Sequence, residues 1–289
     1  MKWVFITNKN AGNGKSLKIL PNIENACKAR NIEYEIREIS KEKSGYDIAL
    51  EYKNEECTIF SVGGDGTLSI ILPALVGTKN KLGIIPAGSG NDTFKTIKKM
   101  DDGEHLIDIG KINDRYFINV ACSGIDAEVA SNIDKFRNTI VPSSQLYNVS
   151  VLYTFFKFNP KKIKITTETK KLHSEYTIFS VCNGSYYGGG YNIGPKSDIT
   201  DGVMELYYAE KMPRLSMVPL ILKLKKGRHE GIRRIHKYRT NHVEIEFEED
   251  TVFNVDGETM IDKKYVIDLL PKSLVLYNDK KLIEEIMKK

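Results

Sequence analysis

The order of apolar and polar residues changes its rhythm near residue 105. Before that point, short runs rich in β-branched and aromatic residues alternate with stretches of helical periodicity. The strand-like runs are residues 3–7, 34–39, 57–62 and 82–86. Residues 16–29 place Leu17, Leu20, Ile23 and Cys27 on roughly one helical face. The connections are long enough for crossover helices, so this part predicts a parallel sheet of α/β architecture.

After residue 105 the chain reads as closely spaced strands, several with clean polar/apolar alternation. These runs are residues 106–112, 115–121, 161–167, 176–182, 202–208, 242–249, 251–255 and 265–270. Helical segments near 143–157 and 213–226 interrupt them, and an amphipathic helix ends the chain. The pattern predicts an α/β domain over 1–105, with helix 279–289 packing back on it, and an antiparallel β-sandwich domain over 106–278.

Composition narrows the class of protein. With 289 residues, 41% hydrophobic and 28% charged, the chain can bury a sizeable core. The four cysteines are far apart and form no CxxC pair, so a disulfide framework or a zinc site is not expected, and a reducing cytosol fits best. We expect no export signal and no spanning helix, because no apolar run approaches the length of about 18 residues that a span needs.

The formal net charge of +5 is modest and is spread along most of the chain. Residues 211–239 depart from that distribution, because they contain ten lysines and arginines against the single acid Glu230. The segment is a candidate anion-facing surface. It carries no RNP or helix-turn-helix signature, so a nucleic-acid partner is not expected.

Three glycine-rich turns each follow a predicted strand. The first turn is residues 8–15 (NKNAGNGK), the second is 63–67 (GGDGT) and the third is 86–92 (PAGSGND). The carboxyl ends of parallel strands lie on one edge of a sheet, so the three turns should converge. Glycines there let backbone N–H groups approach a phosphate closely. The turns together predict a cradle for nucleotide phosphates.

Two common nucleotide motifs are excluded. A P-loop ending at Lys15 and Ser16 would need glycine at position 9, where Lys9 stands, and no turn reads GxGxxG. A Walker-type ATPase and a Rossmann dinucleotide site therefore both lose support.

In the second half, Asp201-Gly202 and Asp256-Gly257 read, from the residues alone, as ordinary turns.

The second turn, followed some twenty residues later by the third, resembles the catalytic domain of diacylglycerol kinases and sphingosine kinases, closest to the soluble bacterial lipid kinases. The first turn also matches that family, as do residues 123–127, 201–202 and 254–258, so the resemblance covers essentially the whole chain. It implies an NAD kinase/diacylglycerol kinase-like α/β nucleotide-binding domain, a C-terminal antiparallel β-sandwich domain and an active site in the cleft between them.

The resemblance implies ATP-dependent transfer of the γ-phosphate to a lipid hydroxyl, most simply diacylglycerol giving phosphatidic acid, in phospholipid biosynthesis. The implied nucleotide-binding residues are Asn8, Asn10, Gly12, Lys15, Gly64, Gly66, Thr67, Ser89, Asn91 and Asp92. Asp65 is the implied catalytic residue that organises Mg²⁺, an ion that needs hard oxygen ligands. For Asp92 the alternative is that it caps the helix that follows.

In the second half, the resemblance makes Asp256 the base that accepts the proton of the lipid hydroxyl, with Glu258 assisting. It also makes Asp201 a ligand of a second, structural magnesium, with backbone carbonyls near Asp198 and Val203; an Asp-Gly turn is the alternative. Acceptor-site candidates are Asp126 and Glu128. Residues 152–156 are either an apolar lining of that site or ordinary core.

We expect a cytoplasmic enzyme, peripheral at the inner membrane face, where its lipid substrate lies. Residues 211–239 either contact that surface, with each cation adding about 1 kcal/mol, or form a solvated helix and loop. Exposed sandwich edges are compatible with a homodimer.

Two other functions stay open. The first is an NAD kinase, which also carries GGDGT. The second is a non-catalytic nucleotide-binding protein that keeps the fold without turnover, although this sequence retains all three of Asp65, Asp92 and Asp256.

Overall fold

The computed structural model describes residues 1–9, 11–137, 139 and 146–288, and it divides the chain into two compact units. The first unit is Met1–Ile109 with Leu270–Lys289, and the second is Gly110–Leu269. The sequence placed these boundaries after residues 105 and 278. The structural boundary at Leu269/Leu270 precedes the final helix because the strand before that helix already pairs within the first unit.

The strands of the described residues are β1 (Lys2–Thr7), β2 (Tyr34–Glu38), β3 (Cys57–Gly63), β4 (Lys81–Pro86), β5 (Gly103–Ile112), β6 (Arg115–Phe117), β7 (Val120–Gly124), β8 (Lys161–Thr167), β9 (Lys171–Cys182), β10 (Tyr186–Tyr187), β11 (Tyr191–Asn192), β12 (Met204–Glu210), β13 (Ile235–Thr240), β14 (His242–Val255) and β15 (Glu258–Asn278). In the first unit, β2, β1, β3 and β4 pair in that order, all in parallel. The end of β15 joins them beside β4, with Val275 opposite Lys81. The predicted parallel sheet is confirmed.

The α-helices of the described residues are α1 (Lys15–Lys18), α2 (Leu20–Ala29), α3 (Gly45–Leu50), α4 (Asp65–Ile71), α5 (Asp92–Ile97), α6 (Ile125–Arg137), α7 (Leu146–Lys157), α8 (Arg214–Lys225) and α9 (Lys280–Met287). The single helix expected over 16–29 is broken at Ile19, because Pro21 occupies the first turn of α2 and has no N–H to continue the ladder from α1. None of the helices in this described part is long and apolar enough to cross a membrane.

The core of the first unit draws on both ends of the chain. Phe5 and Phe60 stack with ring centroids 4.6 Å apart on neighbouring strands. Leu282 and Ile286 of α9 are fully buried in the same cluster. Asn22 of α2 donates its side-chain N–H to the carbonyl of Ile286 at 2.9 Å. The final helix is therefore part of the structure that carries the first two glycine-rich turns.

The second unit is built from antiparallel pairs in the order β13, β12, β9, β7, β14 and β15, with β8 paired to both β9 and β14. One apolar cluster includes Phe179, Phe253 and Tyr265. A second cluster includes Met217 and Leu220 of α8. The predicted antiparallel sandwich is confirmed.

Candidate active site

The three glycine-rich turns of the first unit lie against one another. Gly12 has φ +57°, and a Cβ added to it would overlap the carbonyl oxygen of Ala87, so the first turn packs on the third. The carbonyl of Gly63 accepts the N–H groups of Ala87 at 2.9 Å and Gly88 at 3.0 Å. A Cβ on Gly88 would overlap the backbone of Gly64. The predicted convergence is confirmed, and it depends on glycine at the points of closest approach.

Asp65 connects the second turn to the third. Its Oδ2 accepts the N–H of Asp92 at 3.0 Å and its Oδ1 accepts the N–H of Thr93 at 3.1 Å. These are the first two N–H groups of α5, which have no partner within the helix. Asn91, at the N-cap position, makes no side-chain capping bond. Asp65 therefore caps α5 from another turn, and Asp92 is the first residue of the helix.

The shape of the third turn is held by Asn91, which adopts φ 51°. Its side chain donates to the carbonyl of Gly88 at 2.9 Å and accepts the N–H of Gly88 at 3.1 Å. The amide of Asn91 is thus engaged inside the turn. Asp92 is 8% exposed and pairs with Lys95 at 2.8 Å.

The remaining cradle residues differ in exposure. Lys15 and Ser89 are exposed, and Lys15 enters no ion pair within the part of the chain that the structure describes. Gly64 and Gly66 are half-buried where α4 begins, whereas Thr67 is buried with its side chain against Gly63. The carbonyl of Asn8 accepts the N–H of Ala11 and the hydroxyl of Ser16. Asn10 lies outside the described residues.

In the second unit, Asp256 and Gly257 form the two-residue turn between β14 and β15. Val255 pairs with Glu258 across it, and both turn residues have positive φ, 46° and 100°. The turn that the Asp-Gly pair predicts is confirmed. Glu258 follows with an exposed side chain.

The Asp256 carboxylate also reaches the backbone that leads into β7. It accepts the N–H groups of Ile118 at 2.7 Å, Asn119 at 3.1 Å and Val120 at 2.9 Å. No sequence pattern predicts this contact, because the carboxylate and its donors are more than 130 positions apart. Asp256 therefore fixes the local course of the chain whatever chemistry it performs.

The acceptor-site candidates are less open. Glu128 pairs with Lys161 at 3.1 Å, and the side chain of Asp126 lies outside the described residues. Within 152–156, Phe155 packs against a core cluster, and the hydroxyl of Thr154 accepts an N–H from Asn132. For these two residues the structure shows core packing.

At the second expected metal site, the Asp201 carboxylate already pairs with a cationic side chain. The Arg239 guanidinium donates to Asp201 Oδ2 at 2.7 Å, and Asp201 Oδ1 accepts the N–H of Val203 at 3.2 Å. Asp198 accepts the N–H of Thr200 at 2.9 Å within the same loop. Across the described ranges, no three His, Cys, Asp or Glu side chains are grouped so that they could hold a metal ion.

Two family matches cover nearly the whole chain. Residues 2–116 match the diacylglycerol kinase catalytic domain. Residues 119–278 match the YegS C-terminal NAD kinase beta sandwich-like domain. The meeting point of the two matches lies close to the first boundary between the structural units.

Curated relatives and solved structures agree with these matches. A protein named diacylglycerol kinase from Mycobacterium tuberculosis (strain ATCC 25618 / H37Rv) is 25% identical over 94% of this chain and 94% of its own length. A probable lipid kinase YegS-like from Klebsiella pneumoniae (strain 342) is 27% identical over 79% of each. The crystal structure of a putative diacylglycerol kinase from Bacillus anthracis str. Sterne superimposes with a TM-score of 0.76, covering 97% of this chain and 96% of that chain at 21% identity, which supports the fold.

Proposed function

The chain is a lipid kinase of the family defined by the diacylglycerol kinase catalytic domain and the YegS C-terminal beta sandwich-like domain, and from this premise we propose that it transfers the γ-phosphate of ATP to the hydroxyl of diacylglycerol. The product is phosphatidic acid. Relatives from Mycobacterium tuberculosis and Bacillus subtilis that carry the name diacylglycerol kinase support this choice of acceptor.

The observation that carries the proposal is the packing of the three turns into one cradle. Phosphoryl transfer is mostly positioning and charge neutralisation, so a catalyst needs a rigid set of donors around the phosphates. Contacts of Gly12 with Ala87 and of Gly64 with Gly88 bring the three backbones together. The exposed ammonium of Lys15 adds a positive charge at the same edge. The cradle thus supplies what the β- and γ-phosphates of ATP require.

Asp65 fits the magnesium that a kinase uses with ATP. Mg²⁺ is commonly bound through one or two carboxylates together with substrate phosphates and waters, so the lack of a larger acidic group in the described ranges is no obstacle. The Asp65 oxygens are hard ligands, and their bonds to the N–H groups of Asp92 and Thr93 fix the carboxylate in place. When bound, the ion would neutralise charge on the phosphates. Asp92 would support this arrangement from the first turn of α5.

For the acceptor we propose Asp256 as the proton acceptor, with Glu258 assisting. The Asp256 carboxylate accepts the N–H groups of residues 118–120. The same donors hold the carboxylate in one orientation, which a general base needs. Glu258 is exposed two residues after Asp256, where its charge can help to orient the hydroxyl.

No step of this mechanism passes through a second metal. Arg239 already neutralises Asp201, and the oxygens of Asp198 and Asp201 serve the turn that contains them. A magnesium at this place stays a prediction from the family resemblance.

The test is transfer of labelled γ-phosphate from ATP with magnesium to a panel of acceptors in mixed micelles. The panel contains diacylglycerol, sphingosine, phosphatidylglycerol, undecaprenol and NAD. We expect labelled phosphatidic acid. The Asp256→Asn variant should lose ~10²–10⁴-fold in kcat, the range of general-base catalysis, and Glu258→Gln should lose less.

Two readouts separate chemistry from structure. ATP affinity of Asp256→Asn should match that of the wild type, and its thermal unfolding reports any loosening of residues 118–120. If Asp256→Asn keeps full activity, the base assignment fails. Labelling of another lipid would keep the mechanism and replace diacylglycerol, labelling of NAD alone would overturn the lipid acceptor, and no labelling of any acceptor would overturn the proposed transfer.

A further inference from the structure

Helix α8 presents an apolar stripe to solvent. Leu215 is 84% exposed and Leu222 is 60% exposed, and Pro219 between them is also exposed. At about 100° per residue, these three positions fall within an arc of about 60° on one side of the helix. Single exposed apolar residues are normal on a protein surface. Three exposed apolar residues in one row form a patch of the kind that marks an interaction site.

The stripe is not the face that holds α8 in the fold. Met217, Leu220 and Leu224 point the other way and are buried in the cluster that contains Ile193 and Tyr207. The helix is therefore anchored to the second unit independently of Leu215 and Leu222. Substitutions at the stripe should leave the fold intact.

Positive charges border the stripe on both sides. On the helical projection Lys223 lies on one side, and Arg214 and Lys225 lie on the other. Lys226 and Arg228 follow directly after the helix. Within the described part of the chain, Lys223, Lys225, Lys226, Arg228 and Arg233 enter no ion pair. Their charges are therefore available to an external partner.

The acidic side chains Glu230 and Glu175 already form ion pairs with cations outside α8. Glu230, the one acid of residues 211–239, accepts Lys196 at 2.8 Å, Lys237 at 3.1 Å and the hydroxyl of Tyr207 at 2.8 Å. Burial would raise the pKa of Glu230, but these hydrogen bonds bring the pKa down to about 2. Glu175 pairs in the same way with Lys211 at 2.9 Å. None of these contacts neutralises the lysines of α8.

A recess beside the stripe contains Lys223 and adds one more cation, Arg234, to the same surface. A cavity of ≈ 270 Å³ is lined by apolar groups that include Met212 and Pro219, together with Lys223 and Arg234. Arg234 is held at this wall by a bond from its guanidinium to the carbonyl of Lys211 at 2.6 Å. A small anionic group seated there would meet two positive charges next to the apolar stripe.

We propose that the stripe of α8 and its bordering cations form the docking surface of this protein for an anionic lipid bilayer. Apolar side chains on an interfacial helix enter the boundary between headgroups and acyl chains, while basic residues contact anionic headgroups. The proposal rests on the proposed function in one respect, since a lipid kinase must find its acceptor in a membrane. A second copy of the chain fits less well, because a two-fold interface would bring the same cations face to face.

The test is flotation of the full chain with vesicles of phosphatidylcholine alone and of phosphatidylcholine mixed with phosphatidylglycerol. We expect binding to the mixed vesicles that weakens as salt screens the charges. Changing Lys223, Lys225 and Lys226 together to Gln should weaken binding roughly 100-fold, or roughly five-fold for each cation. The pair Leu215→Gln and Leu222→Gln should weaken it by roughly ten-fold for each leucine.

Matched controls come from the first unit. Lys41, Lys53 and Lys79 are exposed and form no ion pair with the residues that the structure describes, and changing them together to Gln alters the net charge equally. Leu106→Gln, at a residue that is 53% exposed, removes one exposed leucine. Both controls should bind like the wild type. Equal binding by the α8 variants and the wild type overturns the proposal. So does sedimentation showing that the leucine pair abolishes self-association without changing vesicle binding, because the partner is then a second copy.

An activity arm keeps this proposal separable from the proposed function. All α8 variants should phosphorylate dispersed short-chain diacylglycerol as the wild type does, and lose activity only toward diacylglycerol in mixed vesicles. Loss on the dispersed substrate would place α8 in the catalytic machinery and overturn the docking role. If the wild type phosphorylates neither substrate, diacylglycerol is not the acceptor. The vesicle-binding result would still decide whether α8 forms the docking surface.

Discussion

The approach of Gly88 to Gly64 fixes the distance between the second and third turns. A Cβ at position 88 would overlap the Gly64 backbone. We therefore expect Gly88→Ala to push the turns apart and to weaken ATP binding by roughly ten-fold or more, since a ~1.4 kcal/mol loss is a factor of ten. Titration calorimetry with ATP measures the change.

The control for this substitution is Gly77→Ala. Gly77 has φ 74°, a Cβ added to it would meet no atom within 4 Å, and it lies outside the three turns. Alanine there should cost about 1–2 kcal/mol of stability through the left-handed backbone alone. ATP affinity should stay unchanged. An unaltered ATP affinity in Gly88→Ala would remove this contact from the nucleotide site.

A second residue-scale prediction concerns His229, which is fully buried beside the Tyr207 ring. Burial lowers the pKa of His229 below its usual 6.5. The folded protein then holds this group neutral, while the unfolded chain takes up a proton below pH 6.5, so stability falls with falling pH by up to ~1.4 kcal/mol per unit. The His229→Leu variant should lose this dependence.

The measurement is urea unfolding between about pH 8 and about pH 5, the range in which histidines titrate. As the pH falls, the unfolding free energy of the wild type should decrease relative to that of His229→Leu. His242 acts in the opposite sense, because its bond to Asp268 raises the pKa of His242 and stabilises the fold at low pH, but it is common to both proteins and cancels. The exposed His173→Gln serves as control. Parallel pH curves for the wild type and His229→Leu would show that His229 does not titrate with unfolding.

The residue scale is also where sequence reasoning reached its limit. The family resemblance pointed to chemistry at Asp65 and Asp256, but their hydrogen-bond partners lie 27 and more than 130 positions away, and only the fold brings them together. The engagement of Asn91 inside its own turn has a local cause, since Asn tolerates positive φ. Arg239 beside Asp201 had no signal in the sequence at all.

At the scale of elements, α9 completes the core of the first unit. Asp279 caps it by accepting the N–H of Leu282 at 2.8 Å, and Ile286 is fully buried against α2. We expect Ile286→Ala to cost ~2–5 kcal/mol, the usual range for such a cavity. Urea unfolding of the full chain measures it. The control Ile70→Ala, at a residue that is 42% exposed, should stay within about 0.5 kcal/mol of the wild type. Equal effects of the two changes would mean that α9 is not part of the core.

Elements with a strong period were predicted well. The strands β1, β2, β3 and β4 appear within a residue of the expected runs. Of these, β1, β3 and β4 are buried parallel strands, which read as nearly continuous apolar segments. Helix α6 was not predicted, since its Asp126, Glu128 and Asn132 dilute the apolar period. Its course becomes clear only from packing, where Asn132 bonds to Thr154 of α7.

At the scale of the whole molecule, residues 270–287 belong with the first unit although they follow the second in sequence. ATP at 100 times its dissociation constant stabilises the state that binds it by about 2.7 kcal/mol. We expect hydrogen exchange of the most protected amides of β1 and β3 to slow by roughly 100-fold, and those of the end of β15 and of α9 to slow with them. Amides of β9 and β12 are the internal reference. Unchanged exchange in α9 would show that it opens independently of β1 and β3.

The return of β15 and α9 to the first unit has a consequence for synthesis on the ribosome. Trp3, Phe5 and Ile23 are made before the second unit, but Leu282 and Ile286 of the same cluster are made after it. At roughly 5–20 residues per second, the first unit waits roughly 10–35 s after its residue 109 for the segment that closes it. During that interval all residues of the second unit are already made, while the first unit exposes an unfinished apolar face that a chaperone can recognise.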